Sequence, residues 1–146
     1  MTSRTGLKHH TSKIRDFKDL TSIETFGFRG EALSSLCALS NLSVITKSSQ
    51  SVGGKGYRIE YDLKGRIAKK TQCARDVGTT VVIKNLFSTL PVRHVEFLKN
   101  LKREFTRMVA VLYGYCLITA GVRYATVWVA VPSLFGFCIS MVLVLG

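Results

Sequence analysis

The chain has 146 residues, enough for one domain with its own core, and its 47% apolar content excludes a globally disordered polymer. Twenty-one Lys and Arg against nine Asp and Glu leave a formal charge of +12, which favours polyanions such as nucleic acid, nucleotide phosphates or an anionic membrane without choosing among them. Four cysteines with no close pair, Cys37, Cys73, Cys116 and Cys138, exclude a disulfide framework or a zinc cluster and read as free thiols in a reducing compartment.

From the start, Met1-Thr2-Ser3-Arg4 lacks the apolar stretch of a secretory signal, so a soluble intracellular beginning is expected. Residues 1–22 are polar and basic around His9-His10-Thr11-Ser12-Lys13. Ile14, Phe17 and Leu20 recur every third residue and predict one or two helical turns, which Asp19, Thr21, Ser22 and Glu24 cap or interrupt. The region reads mainly as an ordered loop. The adjacent His9-His10 pair has no third ligand, and neighbouring side chains do not converge, so no metal site is predicted there.

Gly27-Phe28-Arg29-Gly30-Glu31-Ala32-Leu33 is the sharpest local signal. Ala32, Leu33, Leu36 and Leu39 follow helical spacing and mark the buried stripe of a helix ending near Ser40-Asn41. Gly27 and Gly30 allow backbone angles and close approaches denied to bulkier residues, and Glu31 falls in the first turn, where its charge suits the helix dipole.

Strands follow at 42–47, 57–61, 66–71 and 78–84, with Gly53, Gly54 and Gly56 loosening one connection and Asp62-Leu63-Lys64-Gly65 supplying a turn. They predict a largely antiparallel sheet with one face on helices. Pro91 opens a short helix capped near Ser88 or Thr89, and Phe97, Leu98 and Leu101 continue its apolar pattern. A longer helix carries Phe105, Val109, Leu112, Tyr113 and Cys116, running to about Ala120 with Gly121 as its stop. The fold class expected is α+β.

Every charged residue lies between Arg4 and Arg123; 124–146 has none. That run admits three readings: a membrane span preceded by basic residues, a buried strand at 124–131 followed by a helix, or a tail without functional packing.

Glycine-framed backbone N–H groups ahead of a helix are ready donors for phosphate oxygens, and Arg29 adds a charge-assisted bond. A tight structural turn with a solvated arginine explains the same residues. Lys13 can meet an anion or simply face water, and Thr79 can contact a base or serve only as a β-branched strand residue. No nucleophile, histidine and carboxylate arrangement is recognisable, so a nucleotide-binding remnant is better supported than a complete hydrolase.

Taken together, Thr11-Ser12-Lys13-Ile14, then Thr25-Phe26-Gly27-Phe28-Arg29-Gly30-Glu31-Ala32-Leu33-Ser34-Ser35-Leu36, then Gly78-Thr79-Thr80-Val81, Leu86-Phe87 and Leu90-Pro91-Val92-Arg93 form a specific ordered series. It resembles the MutL family of DNA mismatch repair ATPases, particularly the eukaryotic postmeiotic-segregation branch, over residues 6–123. The resemblance implies part of a GHKL (Bergerat-type) ATPase α/β sandwich holding ATP and Mg²⁺. By that match Thr11, Ser12 and Lys13 belong to the ATP lid, and Gly27, Phe28, Arg29, Gly30 and Glu31 belong to the phosphate-contacting loop and helix start. Thr79 belongs to the Gly-Thr motif near adenine.

Glu31 is then expected to orient or cap the loop, not to act as hydrolytic base. The family's earlier segment, with its catalytic glutamate, metal-linking asparagine and adenine-recognising aspartate, is not found ahead of Gly6. A truncated, non-hydrolytic homologue with a divergent tail at 124–146 is therefore expected. The implied partners are DNA, met through the basic surface, and a MutL-family subunit; the implied compartment is the nucleus. The competing readings are a non-catalytic nucleic-acid or interaction fragment and a membrane-associated fragment.

Overall fold

The computed structural model describes residues 6–11, 13–14, 16–23, 26–27, 29–50, 54–119, 122–129 and 138–145, with 17, 20 and the last two stretches described through their backbone. Ser12, Glu24, Thr25, Phe28, Gly53, Ala120, Gly121 and 130–137, all invoked from the sequence, lie outside the described residues.

A 3₁₀ turn at Phe17–Ser22 fulfils the three-residue apolar spacing. It is closed by Asp19, whose Oδ2 accepts from the Asp16 N–H at 3.1 Å. Helix α1 (Ala32–Leu39) and strand β1 (Asn41–Lys47) follow, then β2 (Gly56–Tyr61), β3 (Ile67–Cys73) and β4 (Gly78–Lys84). Between β2 and β3, Asp62 Oδ1 accepts from the Lys64 and Arg66 N–H groups at 2.9 and 2.8 Å, the side-chain turn the sequence predicts there. Helices α2 (Pro91–Lys99) and α3 (Leu101–Ile118) precede β5 (Val122–Val129) and β6 (Cys138–Leu145).

The sheet is antiparallel at every junction, in the order β3-β2-β1-β4-β6-β5. β1 is central: Val44 faces Ile59 on one side and Val81 on the other. The core is Cys37 of α1 with Leu42, Val44, Ile59 and Val82, and α1 packs on β1. Leu42, Ser43 and Val44 are buried consecutively, which the two-residue alternation of a strand permits only where both faces are covered. β3, at the sheet edge, is exposed from Ala68 to Gln72; Lys69 and Lys70 there discourage pairing with another chain.

The sequence admitted a helix after the strand of the tail; the structure has a second strand instead. β6 pairs with β4 from Thr79↔Leu143 to Lys84↔Cys138, and β5 closes against β6. The physical reason is the outer edge of β4, whose N–H and C=O groups demand partners that only an extended segment supplies. No helix among the described residues is long and apolar enough to cross a membrane.

One connection is strained. Asn85 and Phe87 hold φ of 54° and 64°, a left-handed region that bulky residues seldom occupy. The Phe87 N–H donates to the Leu39 carbonyl at 2.8 Å, closing the end of α1, while the Thr89 hydroxyl donates to Ala38 O at 3.5 Å. Ser88 and Thr89 were expected to cap α2; its cap residue is Leu90, which makes no side-chain capping bond. His94 Nδ1 donates to Leu86 O at 2.8 Å and Phe87 meets Phe97 edge-on at 5.5 Å. α2 and α3 contain no buried residue, and Leu117 and Ile118 are 89% and 71% exposed.

Candidate phosphate-binding site

Two segments far apart in feature but close in chain, 6–11 and 27–31, are brought against each other. Gly30 has φ +66°, and a Cβ built there would stand 2.7 Å from the His10 carbonyl carbon and closer still to its oxygen. Only glycine suits both the angle and the approach. Gly27 differs from expectation: its φ lies outside the left-handed region and a Cβ there would meet nothing within 4 Å among the described residues. The glycine-shaped turn is therefore made by Gly30.

Glu31 occupies the N-cap of α1, one position ahead of the first turn, and its side chain makes no capping bond. Its carboxylate instead joins the two segments. His9 Nδ1 lies 3.2 Å from Oε1 and Arg29 Nε lies 3.2 Å from Oε2. The Glu31 carbonyl accepts from the Ser35 N–H at 2.9 Å and the Ser34 hydroxyl at 2.8 Å, which fixes the helix start. Phe26, leading into the loop, meets Tyr115 of α3 edge-on at 5.0 Å.

Of the other predicted residues, Thr11 is half-buried and its Oγ1 accepts from the N–H of the exposed Lys13 at 3.1 Å. Ser12 and Phe28 lie outside the described residues. Thr79 sits at the start of β4, where its hydroxyl bonds the Thr46 hydroxyl at 2.8 Å across the β1–β4 pair. It belongs to the sheet, while Thr11, Arg29, Gly30 and Glu31 belong to the two joined segments and Lys13 follows the first of them.

Two residues here were not legible in the sequence. His9 was considered only as a metal ligand, yet its Nδ1 meets the Glu31 carboxylate. Arg75 supports the Thr79 end of the sheet: its Nη1 donates to the Ile45 carbonyl and, at 3.2 Å, to Thr80 Oγ1, while its Nε donates to Asp76 O at 3.0 Å. Neither residue stands in a patterned motif; each contact is made only once the segments fold together.

The donor set has the character of an anion site. It presents Arg29 and His9 beside a glycine-turned backbone, which suits phosphate oxygens. Among the described residues no three His, Cys, Asp or Glu side chains gather to hold a metal ion. Cys37 takes no part in this chemistry, because burial first, and then the charge of Asp62, raise its thiol pKa to about 11.

No family model matches the chain. It is 56% identical over 117 residues to the human protein named mismatch repair endonuclease PMS2, covering 80% of this chain and 13% of that protein. It is 48% identical over 128 residues to the Saccharomyces cerevisiae DNA mismatch repair protein PMS1, covering 88% of this chain and 14% of that one. A solved structure described as the N-terminal domain of a DNA repair protein superposes with a TM-score of 0.65 at 43% identity, over 93% of this chain and 36% of the other. The chain thus spans about one seventh of the length of these curated relatives.

Proposed function

Because the chain belongs to the postmeiotic-segregation branch of the MutL family and carries its GHKL-type N-terminal fold, we propose that it is the phosphate-binding part of a mismatch-repair ATP-binding module. The observation that carries this reading is the contact of Gly30 with the His10 backbone, which sets the lid segment beside the loop. In the bound complex the loop's backbone N–H groups receive phosphate oxygens, Arg29 adds a charge-assisted bond, and Lys13 approaches from the lid. Phe28 and Ser12 complete loop and lid, and Thr79 faces the adenine end.

The module binds ATP without hydrolysing it alone. Both carboxylate oxygens of Glu31 are engaged, Oε1 by His9 Nδ1 and Oε2 by the Arg29 guanidinium, so Glu31 serves as an acceptor for these groups and not as a base held ready for water. Mg²⁺ is not assigned to this chain's described residues, and no step is routed through it. Residues 1–123 form the ATPase portion and 124–146 a tail of separate origin. Residues 1–123 also meet DNA through the excess positive charge, act with a MutL-family subunit, and work in the nucleus.

The experiment is calorimetric titration of the full chain with a non-hydrolysable ATP analogue, beside Gly30→Trp. Saturable binding by the wild type and none by the variant supports the proposal. Equal binding by both, or none by the wild type, rejects it.

A further inference from the structure

One carboxylate, Glu31, gathers two donors from two segments: His9 Nδ1 on one oxygen and Arg29 Nε on the other, each at 3.2 Å. The Glu31 side chain is 26% exposed, whereas those of His9 and Arg29 are 66% and 74% exposed. The donors therefore converge at the protein surface on an acceptor lying further in. His9 holds this place with a left-handed φ of 62°, and its neighbour His10 is the backbone against which Gly30 packs. A phosphate group is an acceptor of the same kind, with more oxygens and more charge, and it approaches from the side on which the donors are open.

We propose that Glu31 is a stand-in acceptor that keeps His9 and Arg29 converged until a polyphosphate takes over their hydrogen bonds, which makes His9 a phosphate-binding side chain. This deepens the nucleotide reading above and rests on it. Two effects of the carboxylate oppose each other. As an organiser of two exposed pairs it is worth up to about fivefold in affinity. As a like charge beside the ligand it costs about fivefold for each unit of ligand charge at about 4 Å in water, and a triphosphate carries several. Repulsion wins, so neutralising Glu31 strengthens phosphate binding.

The test uses inorganic tripolyphosphate and a non-hydrolysable ATP analogue with the full chain, Glu31→Gln and His9→Gln, at one fixed ionic strength. Glu31→Gln is expected to bind tripolyphosphate at least about threefold tighter than wild type, and His9→Gln about threefold weaker. Because removing any nearby carboxylate favours a polyanion, the gain in Glu31→Gln supports the inference only together with the loss in His9→Gln, and unchanged binding by His9→Gln overturns it. Wild-type binding of both ligands with no gain in Glu31→Gln overturns this inference alone; failure of the wild type to bind either ligand overturns it together with the nucleotide reading. Should Glu31→Gln not fold, the unmodified chain decides. Tripolyphosphate must shift the NMR signals of the His9 imidazole and the Arg29 Nε–H, and unmoved signals at saturation overturn the inference.

Discussion

Replacing Gly30 with alanine, against Gly27→Ala as its control, separates the conformational demand of the loop from its sequence pattern. At Gly30 the added Cβ meets two penalties. A left-handed φ of +66° costs an L-residue about 1–2 kcal/mol. The methyl group would also stand 2.7 Å from the His10 carbonyl carbon, a backbone atom that moves only if the 6–11 segment moves. That segment is held at its other end, where Gly6 packs against the Gly65 backbone, itself at φ +76°. The segment yields before the core does, so the loss of stability stays near 1–2 kcal/mol, about 2–8 °C in Tm for a chain of this size, with the His9–Glu31 pair broken. At Gly27 nothing lies within 4 Å of the added atom, and alanine should be neutral or stabilise by up to about 1 kcal/mol through the unfolded chain. Urea denaturation followed by far-ultraviolet circular dichroism measures both. The two substitutions should differ by about 2 kcal/mol; equal effects, or a larger loss at Gly27, would refute the assignment of the turn to Gly30.

Other outcomes follow from the same geometry. Phe87→Gly should be more stable than Phe87→Ala by about 1 kcal/mol, because both lose the ring but only glycine relieves the positive φ; thermal melts with the reverse order would contradict the strain. Cys116 is exposed and should react with a thiol reagent within minutes in the native protein, whereas Cys37, 1% exposed, should react only on unfolding. Burial raises the folded thiol of Cys37 to about 11 from an ordinary value of 9.0, so the unfolded chain loses its proton first. Stability should be fully present below pH 9 and fall by on the order of 2 kcal/mol as pH rises towards 11. Urea titrations of wild type and Cys37→Ala check this, and a flat difference between them would oppose it. Leu117→Glu with Ile118→Lys should reduce dye binding and self-association, since the two side chains are 89% and 71% exposed on α3; unchanged light scattering would place the sticky surface elsewhere.

The elements were largely readable. Alternation and β-branching located β1 through β4 to within one or two residues, and Pro91 marked the first residue of α2. The glycine loop was readable as a motif, but not which glycine does the turning: Gly27 and Gly30 look alike in sequence and differ in backbone angle and in what stands beside them. The partners of Glu31 were hidden for a related reason. A contact between residues 9 and 31 has no period or spacing to betray it, because it depends on how the 6–11 segment returns to the α1 cap. The tail misled through composition. A charge-free apolar run satisfies a membrane helix as well as two strands, and only the open edge of β4 selects the strands.

The central claim is that the 9–13 and 27–31 segments form one nucleotide-phosphate site. The direct measurement is an amide NMR titration of the full chain with a non-hydrolysable ATP analogue. The account predicts saturable shifts at Thr11, Lys13, Arg29, Gly30 and Glu31, with a further shift at Thr79. Shifts confined to the exposed lysines of β3, or none at millimolar analogue, would contradict it.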